Sequence, residues 1–381
     1  MDYVLTTPLI MIATPADLAS MLDDLSHHPS IAVDTESNSL FAYRERVCLI
    51  QLSTPQTDYI VDTLALADLA GMGDIFADAN IEKVLHGADY DIGTLRRDYG
   101  FEFRHIFDTM IASRVLGIKQ FGLGRLLNER FGVYLDKRMQ RHDWSRRPLQ
   151  TGELEYARLD SHYLLPLRDQ LLEELRRCGR EREAREAFKR VEGACWSRKP
   201  FNPDAFWHMN GALGLGDVAR GVLKHLIILR EELAQRLDRP PFKILSDETL
   251  MELARQQPTS QRAMSAIPGL SESKIRTLGK KILLAIEAGR RDPQSLEHRP
   301  ISSGRPADIV LTRYERLRCW RKARAAKRGV DPDVLISNSL LMEIARQAPA
   351  TPAQLSRIEG LGAYQIESYG PEILQIIQED M

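Results

Sequence analysis

The stretch Ile31-Ala32-Val33-Asp34-Thr35-Glu36 carries the strongest fold signal in this chain. Three consecutive apolar residues predict a buried strand, and two carboxylates follow at positions i and i+2. Alternate residues of a strand point to the same face, so Asp34 and Glu36 would project together. Such acids repel each other unless a cation lies between them, although a strand end with solvated acids would show the same pattern.

Further strands and helices are predicted on either side of this stretch. Thr14 and Pro15 mark a helix start, because they suit the N-cap and the first turn. Apolar runs predict further strands at residues 47–52, 59–61 and 83–86, with helices over 64–76 and through most of 91–131. Strands followed by alternating helices and strands predict an α/β domain in which helices cover a mixed sheet.

Composition limits the class of protein. A length of 381 residues predicts two or three domains, and a net charge of -1 gives no global signal for nucleic acid. The four cysteines have no CxxC spacing, which is typical of reduced thiols in a cytoplasmic protein. We also expect no signal peptide, no membrane span and no oligomer, since no basic leader, long apolar run or heptad seam is evident.

Two later stretches also carry acids in positions typical of a site. His86-Gly87-Ala88-Asp89-Tyr90-Asp91 follows a predicted strand and opens a helix, and Asp89 and Asp91 are rival candidates there. Tyr156 and Asp160 are four residues apart on a later helix, so they share one face. His86 is interpreted as a strand-end residue and a candidate substrate contact rather than a metal ligand, because oxygen ligands are already abundant.

Together the acids form a set of four carboxylates: Asp34, Glu36, Asp91 and Asp160. Oxygen ligands of this kind suit Mg²⁺ or Mn²⁺ rather than zinc. Four acids exceed the need of one Mg²⁺, so we expect two cations that act on a phosphodiester. Tyr156 is expected to orient the attacking water, because a phenol with an ordinary pKa near 10 is a poor base at neutral pH.

The second half of the chain contains a gapless internal repeat. Residues 250–256 and 341–347 are nearly identical, at an offset of 91 residues. The offset also pairs Ser246 with Ser337 and Gly269 with Gly360. The serines suit helix N-caps and the glycines suit tight turns, so the copies are predicted to be two small all-α domains.

Two basic segments are candidate RNA contacts. Residues 137–147 form a predicted loop that includes Lys137 and Arg147, and it is either a solvated loop or a phosphate contact. Residues 313–328 carry eight basic side chains against one acid, and we favour RNA contact over a merely solvated helix face. The central candidates in that helix are Arg321, Lys322 and Arg324.

The three acidic motifs resemble those of the DEDDy 3′–5′ exonuclease superfamily. The stretches 46–52, 143–149 and 156–165 are similar to ribonuclease D, and the duplicated region resembles two helicase-and-RNase-D-C-terminal (HRDC) domains. The resemblance implies a ribonuclease-H-like exonuclease domain, metal ligands at the four acids with Asp91 chosen over Asp89, and a water-positioning role for Tyr156. Many relatives have an aromatic residue after the first motif, and Leu40 or Phe41 is expected to replace it against the terminal base.

The resemblance also implies the domain order and the reaction. The expected domains are an exonuclease domain at 1–170, a helical linker at 171–209, and HRDC-like domains at 210–292 and 305–381. The expected reaction is two-metal hydrolysis of RNA from its 3′ end, releasing 5′-monophosphates, with transfer RNA precursors as the substrate class. The alternatives are a DNA 3′–5′ exonuclease and a non-catalytic RNA-binding module.

Overall fold

The computed structural model describes residues 7–136, 138–197, 200–299 and 306–378. The chain divides into two compact units. The first unit contains the described residues of 1–37, 47–197 and 306–381, and the second contains those of 38–46 and 198–305. The second copy of the repeat therefore belongs to the same unit as the sheet domain, whereas the first copy does not. The domain boundaries drawn from the sequence remain predictions.

The first unit is built on one six-stranded mixed sheet. Its strand order is β1-β4-β3-β2-β5-β6, in which β3 is antiparallel to both of its neighbours, β2 and β4, and the other three pairs are parallel. The strands are β1 (Leu9–Ile12), β2 (Ser30–Ser37), β3 (Val47–Ser53), β4 (Asp58–Asp62), β5 (Glu82–Leu85) and β6 (Ile106–Asp108). Burial on both faces explains why β3 reads as a continuous apolar run.

Eight helices follow or precede these strands in the first 197 residues. They are α1 (Pro15–Ser26), α2 (Ala70–Ala77), α3 (Ala88–Tyr99), α4 (Thr109–Leu116), α5 (Leu123–Phe131), α6 (Thr151–His162), α7 (Leu164–Arg177) and α8 (Glu181–Val191). Ile31 and Val33 of β2 pack with α1, α2 and α3, whereas Ala32 packs with α4, α5, α7 and α8 on the opposite face. Strand alternation therefore places Asp34 and Glu36 on the face of Ala32.

The first copy of the repeat consists of four helices in the second unit. They are α9 (Asp217–Leu237), α10 (Pro241–Ile244), α11 (Asp247–Gln256) and α12 (Glu272–Arg290). The Ser246 side chain accepts a hydrogen bond from the Thr249 N–H at 3.2 Å, which caps α11 as the sequence predicts. Gly269 has a φ of 84°, so the turn before α12 requires a residue that tolerates the left-handed region.

The second copy reproduces this geometry in the first unit. Its helices are α13 (Asp308–Arg328), α14 (Pro332–Leu335), α15 (Asn338–Gln347), α16 (Pro352–Leu355) and α17 (Ala363–Gln378). Ser337 accepts from the Leu340 N–H at 3.2 Å, and Gly360 has a φ of 83°. The predicted fold class, an α/β exonuclease domain followed by two helical domains, is confirmed.

The structure adds two strands that periodicity did not predict, β1 and β6. Both lie at sheet edges, and β6 has only three residues, too few for an alternation pattern to register. The helix predicted over 64–76 is confined to α2, since residues 64–69 connect β4 to it. Across the described ranges, no helix has the length and apolar character that a membrane span requires.

Candidate active site

The first pair of acids lies at the end of β2. Asp34 and Glu36 are half-buried, and the pairing with β3 becomes irregular between Glu36 and Ser37. That irregularity is a β-bulge or similar break, which frees the strand end from strict pairing. Both carboxylates are therefore held on a rigid element next to an opening.

Asp91 is fixed by two hydrogen-bond networks. It lies in the first turn of α3, is 7% exposed, and accepts a hydrogen bond from the Thr35 hydroxyl at 2.5 Å. The start of α3 is held in turn by Asp108, which accepts from the Gly87 N–H at 3.1 Å and the Ala88 N–H at 2.8 Å. Asp108 also caps α4, so one buried carboxylate fixes two helix starts.

Tyr156 and Asp160 face the same opening from α6. The Tyr156 ring is stacked on Trp144, with ring centroids 6.1 Å apart and 25° between the planes. Trp144 is 1% exposed, so it forms a solid back wall for the tyrosine. The Gln150 and Glu153 side chains form a capping box at the start of α6.

The electrostatics of this cluster are unusual because its acids are crowded. Burial raises the pKa of Asp34 well above its ordinary value, and the charges of Asp91, Asp160 and Glu36 raise it further. Burial likewise raises the pKa of Asp160 to about 7, opposed by a hydrogen bond with Tyr156. The pKa of Tyr156 is also raised, first by burial and then by the neighbouring acids, so its hydroxyl keeps its proton.

These groups meet at a cleft of about 700 Å³. Asp34, Glu36, Tyr156 and Asp160 line it, while Asp91 is linked to it through the lining residue Thr35. A second part of the lining comes from α5 and from residues on either side of it. Its residues are Gly122, Leu123, Gly124, Arg125, Asn128, Tyr134, Leu135 and Gln140.

The acids fit divalent cations by their chemistry. Within the described residues, no three or more histidine, cysteine, aspartate or glutamate side chains stand in a ready metal-binding arrangement. Burial raises the pKa values of Asp34 and Glu36, and the charges of Asp91 and Asp160 raise both further, so a cation would relieve that repulsion. Hard oxygen ligands suit Mg²⁺ or Mn²⁺, so the ligand set remains a prediction supported by its donor chemistry.

Two predicted substrate contacts, His86 and Arg147, have structural roles of their own, although His86 also lines the cleft and its contact with substrate remains a prediction. Burial lowers the pKa of His86 to about 4, so the imidazole is neutral at pH 7, and its Nδ1 is 2.9 Å from the Thr109 hydroxyl. The guanidinium of Arg147 donates to Asp62 at 2.6 Å and to the Trp144 carbonyl at 2.8 Å. Because its nitrogens are engaged, Arg147 fixes the loop behind Tyr156, and we withdraw it as a phosphate contact.

The structure does not place three other predicted substrate contacts at the cleft. Lys137 falls outside the described residues. Leu40 and Phe41 belong to the second unit, where the Lys243 ammonium lies 3.7 Å from the Phe41 ring centroid. Their expected role against the terminal base therefore remains a prediction.

At the centre of the basic helix α13, one of the predicted RNA contacts is buried rather than exposed. Arg321 is 5% exposed, and its guanidinium donates to the Ile336 carbonyl and, at 2.6 Å, to Asn338. The first copy has the same arrangement, with Arg230 donating to the Leu245 carbonyl and to Asp247. Arg321 is thus a structural residue of the repeat, and its proposed contact with RNA is withdrawn.

The neighbours of Arg321 are more accessible. Lys322 is exposed, and Arg324 is partly exposed with a 3.7 Å ion pair to Glu372. At the end of α13, Arg328 donates to Glu183 on α8, while Arg180 donates to the Arg328 carbonyl at 3.2 Å. The second copy is therefore held against the sheet domain by buried polar contacts.

Sequence reasoning missed the cleft residues that come from α5 and from the segment after it. Arg125, Asn128 and Tyr134 belong to no acidic motif, and their residue types are common on any surface. The available signal was the placement of Gly122 and Gly124 at the start of α5, which permits close approach of other groups.

Comparison with known proteins agrees with this geometry. Residues 9–176 match the family model described as 3'-5' exonuclease, and residues 219–286 and 310–377 each match the HRDC domain. The fold and the acidic cleft therefore define a 3′–5′ exonuclease domain combined with two HRDC domains. Exonucleases of this kind generally use divalent metal ions.

Individual relatives narrow the assignment. The chain is 32% identical over 298 residues to ribonuclease D of Sphingobium indicum, covering 74% of this chain and 76% of that protein. It therefore belongs to the ribonuclease D family, as the sequence resemblance indicates. It is also 32% identical over 301 residues to Protein RRP6-like 1 of Arabidopsis thaliana, covering 76% of this chain but only 47% of that longer protein.

A solved structure supports the same conclusion. The catalytic core of RRP6 from Trypanosoma brucei superposes with a TM-score of 0.69 at 28% identity. The match covers 75% of this chain and 80% of that one. The matched part of the chain thus shares its fold with an RRP6 catalytic core.

Proposed function

We propose that this protein is a 3′–5′ exoribonuclease that removes one nucleotide at a time and releases 5′-monophosphates. The observation that supports this most directly is the convergence of Asp34, Glu36, Tyr156 and Asp160 on one cleft, with Asp91 tied to it through Thr35. The family membership agrees with the proposal. Structured RNA with a 3′ extension, such as a transfer RNA precursor, is the proposed substrate class.

The four acids are proposed to hold two divalent cations, Mg²⁺ or Mn²⁺. When bound, these ions would activate a water for attack on the terminal phosphodiester and stabilise the departing 3′ oxygen. Thr35 holds Asp91 in place by hydrogen bonding, and β2 holds Asp34 and Glu36 on one face. Such preorganisation lets the acids act without rearrangement of the backbone.

Tyr156 is proposed to aim the attacking water. Its raised pKa keeps the hydroxyl protonated, so it can donate or accept a hydrogen bond but does not act as a base. Trp144 behind the ring restricts its motion.

Digestion of a 3′-extended transfer RNA precursor with Mg²⁺ or Mn²⁺ tests the proposal. Products resolved at single-nucleotide length should form a ladder from the 3′ end, together with nucleoside 5′-monophosphates. Internal cleavage, or release of 3′-monophosphates, would contradict it. Matched single-stranded RNA and DNA oligonucleotides distinguish an exoribonuclease from a DNA exonuclease.

Tyr156→Phe is expected to lower kcat by roughly tenfold to a hundredfold, because loss of one positioning contact misplaces the reacting water. Binding of RNA should change little, since no charge is removed. Tyr59→Phe is the matched control: it also removes a hydroxyl bonded to a carboxylate, here to Asp24 at 2.8 Å, but on β4 away from the acids. A raised KM with unchanged kcat would instead make Tyr156 a substrate-binding residue.

The exposed charges of α13 are proposed to hold the body of the RNA. Truncation of the helical domains would delete Arg328 and leave the buried Glu183 without this arginine, so point variants give the cleaner test. Lys322 and Lys327 are both exposed, and their joint replacement by Ala should weaken precursor binding. The logarithmic salt slope should become shallower by about 0.7 for each single-strand phosphate contact that is lost.

The matched control removes the same charge from helices α7 and α8. Arg177 and Lys189 are exposed on α7 and α8, and their joint replacement by Ala should leave the salt slope unchanged. Both double variants should cleave short single-stranded RNA at the normal rate. An unchanged salt slope for the α13 variant would show that this helix does not contact the precursor.

A further inference from the structure

One tyrosine side chain that lines the cleft is almost fully exposed to solvent. Tyr134 is 78% exposed, yet it lines the same cleft as Asp34 and Tyr156. It lies between the end of α5 and the short 3₁₀ turn Met139–Arg141. A ring left this open next to a candidate active site leaves its face available to a ligand.

The residues on either side of Tyr134 are anchored in the core. Leu135 is 8% exposed and packs in the cluster that contains Leu127 and Phe131, with Val133 packed against the same cluster. Leu135 also lies close to Gly124, where an added Cβ would stand 3.7 Å away from it. Val133 and Leu135 point into the core, whereas the ring of Tyr134 between them is exposed. The backbone that carries the ring is therefore fixed by its two neighbours.

Polar groups that suit RNA line the same cleft. Arg125 and Asn128 project from α5 into the cleft, and Gln140 lies beyond Tyr134. Arg125 forms an exposed ion pair with Glu129 at 2.6 Å, with about half of each side chain accessible. Exposed pairs of this kind contribute little, so the guanidinium can exchange its partner for a phosphate at small cost.

We propose that Tyr134 is a stacking platform for a base of the single-stranded 3′ end, with Arg125 on an adjacent phosphate. The proposal rests on the exoribonuclease function proposed above. Proteins bind single-stranded nucleic acid by combining aromatic faces with cationic groups along the backbone. Tyr134 and Arg125 give the cleft this combination, and it would retain the RNA between successive cleavages.

Three substitutions separate stacking from a general apolar contact. Tyr134→Ala removes the ring, Tyr134→Leu keeps an apolar side chain without an aromatic face, and Tyr134→Phe keeps the ring. Binding to a short single-stranded RNA in EDTA should weaken about tenfold for Ala and nearly as much for Leu, because base stacking supplies that energy. The Phe variant should bind as the wild type does. Phe242→Ala, which removes a ring that is 52% exposed in the second unit, is the matched control.

A series of RNAs with one abasic site at each of the last five positions identifies the stacked base. An abasic site at one of these positions should weaken binding to the wild type. The same abasic site should not weaken binding to Tyr134→Ala any further, as expected when the base and the ring interact with each other. In cleavage assays the Ala variant should raise KM rather than lower kcat.

The outcomes separate this proposal from the proposed function. If the protein cleaves RNA but Tyr134→Ala binds it as tightly as the wild type, the stacking role is overturned while the exoribonuclease stands. Rescue by Leu as complete as by Phe also overturns it. If no RNA is cleaved with Mg²⁺ or Mn²⁺, the proposed function fails, and the binding series in EDTA still decides whether Tyr134 stacks.

Discussion

Single replacement of any of the four acids by the matching amide is expected to reduce RNA hydrolysis about 10³-fold or more, because a cation contributes several kcal/mol to the transition state. The variants are Asp34→Asn, Glu36→Gln, Asp91→Asn and Asp160→Asn. Each amide keeps the shape of the acid but removes the charge that would hold a cation. Initial rates on a short single-stranded RNA with Mg²⁺ or Mn²⁺ measure the loss.

Thermal melting provides a second signature of the same substitutions. Burial and repulsion raise the pKa of Asp34, so its ionised form is unfavourable in the metal-free protein. Asp34→Asn should therefore melt in EDTA at a temperature no lower than that of the wild type. The rise in melting temperature on adding Mn²⁺ should be smaller in the variant, because binding to the folded state is weakened.

Asp89→Asn is the control for this series. Asp89 is exposed and lies in the same first turn of α3 as Asp91, so it tests whether any acid at this helix start is enough. Its rate should stay close to that of the wild type. A normal rate for one of the four variants would exclude that residue as a ligand. A clearly lower melting temperature in EDTA would instead indicate that the acid serves the fold.

The convergence of Asp34, Glu36, Tyr156 and Asp160 on one cleft was predictable in part, because local geometry fixes each pair. Strand alternation puts Asp34 and Glu36 on one face, and helical spacing puts Tyr156 and Asp160 on another. The repeat was equally readable, since a gapless offset carries each cap and turn from one copy to the other. Ser246 and Ser337 form the same N-cap bond in both.

Features that depend on tertiary partners were not predictable in this way. Asp108 caps α4, as a local pattern can suggest, but it also binds the N–H groups of Gly87 and Ala88, which only the folded sheet brings near. The link between Thr35 and Asp91 likewise joins two separate motifs. No sequence spacing encodes such contacts, because the intervening chain can take many paths.

The basic helix α13 shows the opposite failure, in which a usable local signal was overlooked. Leu317, Arg321 and Ala325 are buried and lie four residues apart, so they mark the inner face of the helix. The sequence-based prediction counted the charges without assigning the inner face, and Arg321 was therefore wrongly expected at the surface. Its counterpart Arg230 in the first copy has matching carbonyl and side-chain acceptors. Both arginines therefore make the same structural hydrogen bonds within their copy of the repeat.

Asp58→Ala is expected to lower the free energy of unfolding by about 3–5 kcal/mol, because it removes the buried carboxylate that pairs with Arg158 and leaves that buried arginine only the partly exposed Glu155. Asp58 lies on β4, is 1% exposed, and accepts hydrogen bonds from Arg158 at 2.7 Å and from the Thr7 hydroxyl at 2.6 Å. The His162 Nδ1 lies 2.9 Å from the same carboxylate. Urea unfolding followed by circular dichroism measures the loss.

The same substitution should also impair catalysis. Arg158 and His162 belong to α6, the helix that carries Tyr156 and Asp160, so this network fixes the helix to the sheet. A shift of α6 would misplace both site residues, and kcat should fall even in the fraction that remains folded. Asp58→Asn keeps one acceptor for Arg158 and should show a smaller loss of both stability and rate.

The pH dependence follows from the pKa of Asp58. Burial alone would raise this pKa, but hydrogen bonds from His162, Thr7 and Ser53 bring it below the ordinary value of 3.8. The carboxylate therefore stabilises the fold above that pH, and its contribution is lost as the pH falls through the folded-state pKa. The wild type should lose stability between pH 5 and pH 3 more steeply than Asp58→Ala does.

Asp136→Ala separates this network from an ordinary ion pair. Asp136 also binds an arginine, Arg138, at 2.6 Å, but the Arg138 side chain is 90% exposed. Ion pairs between side chains in water contribute little to stability, so this control should unfold near the wild-type urea midpoint. If Asp58→Ala unfolds there too, the buried network does not hold α6, and the position of Tyr156 must depend on Trp144 and the capping box instead.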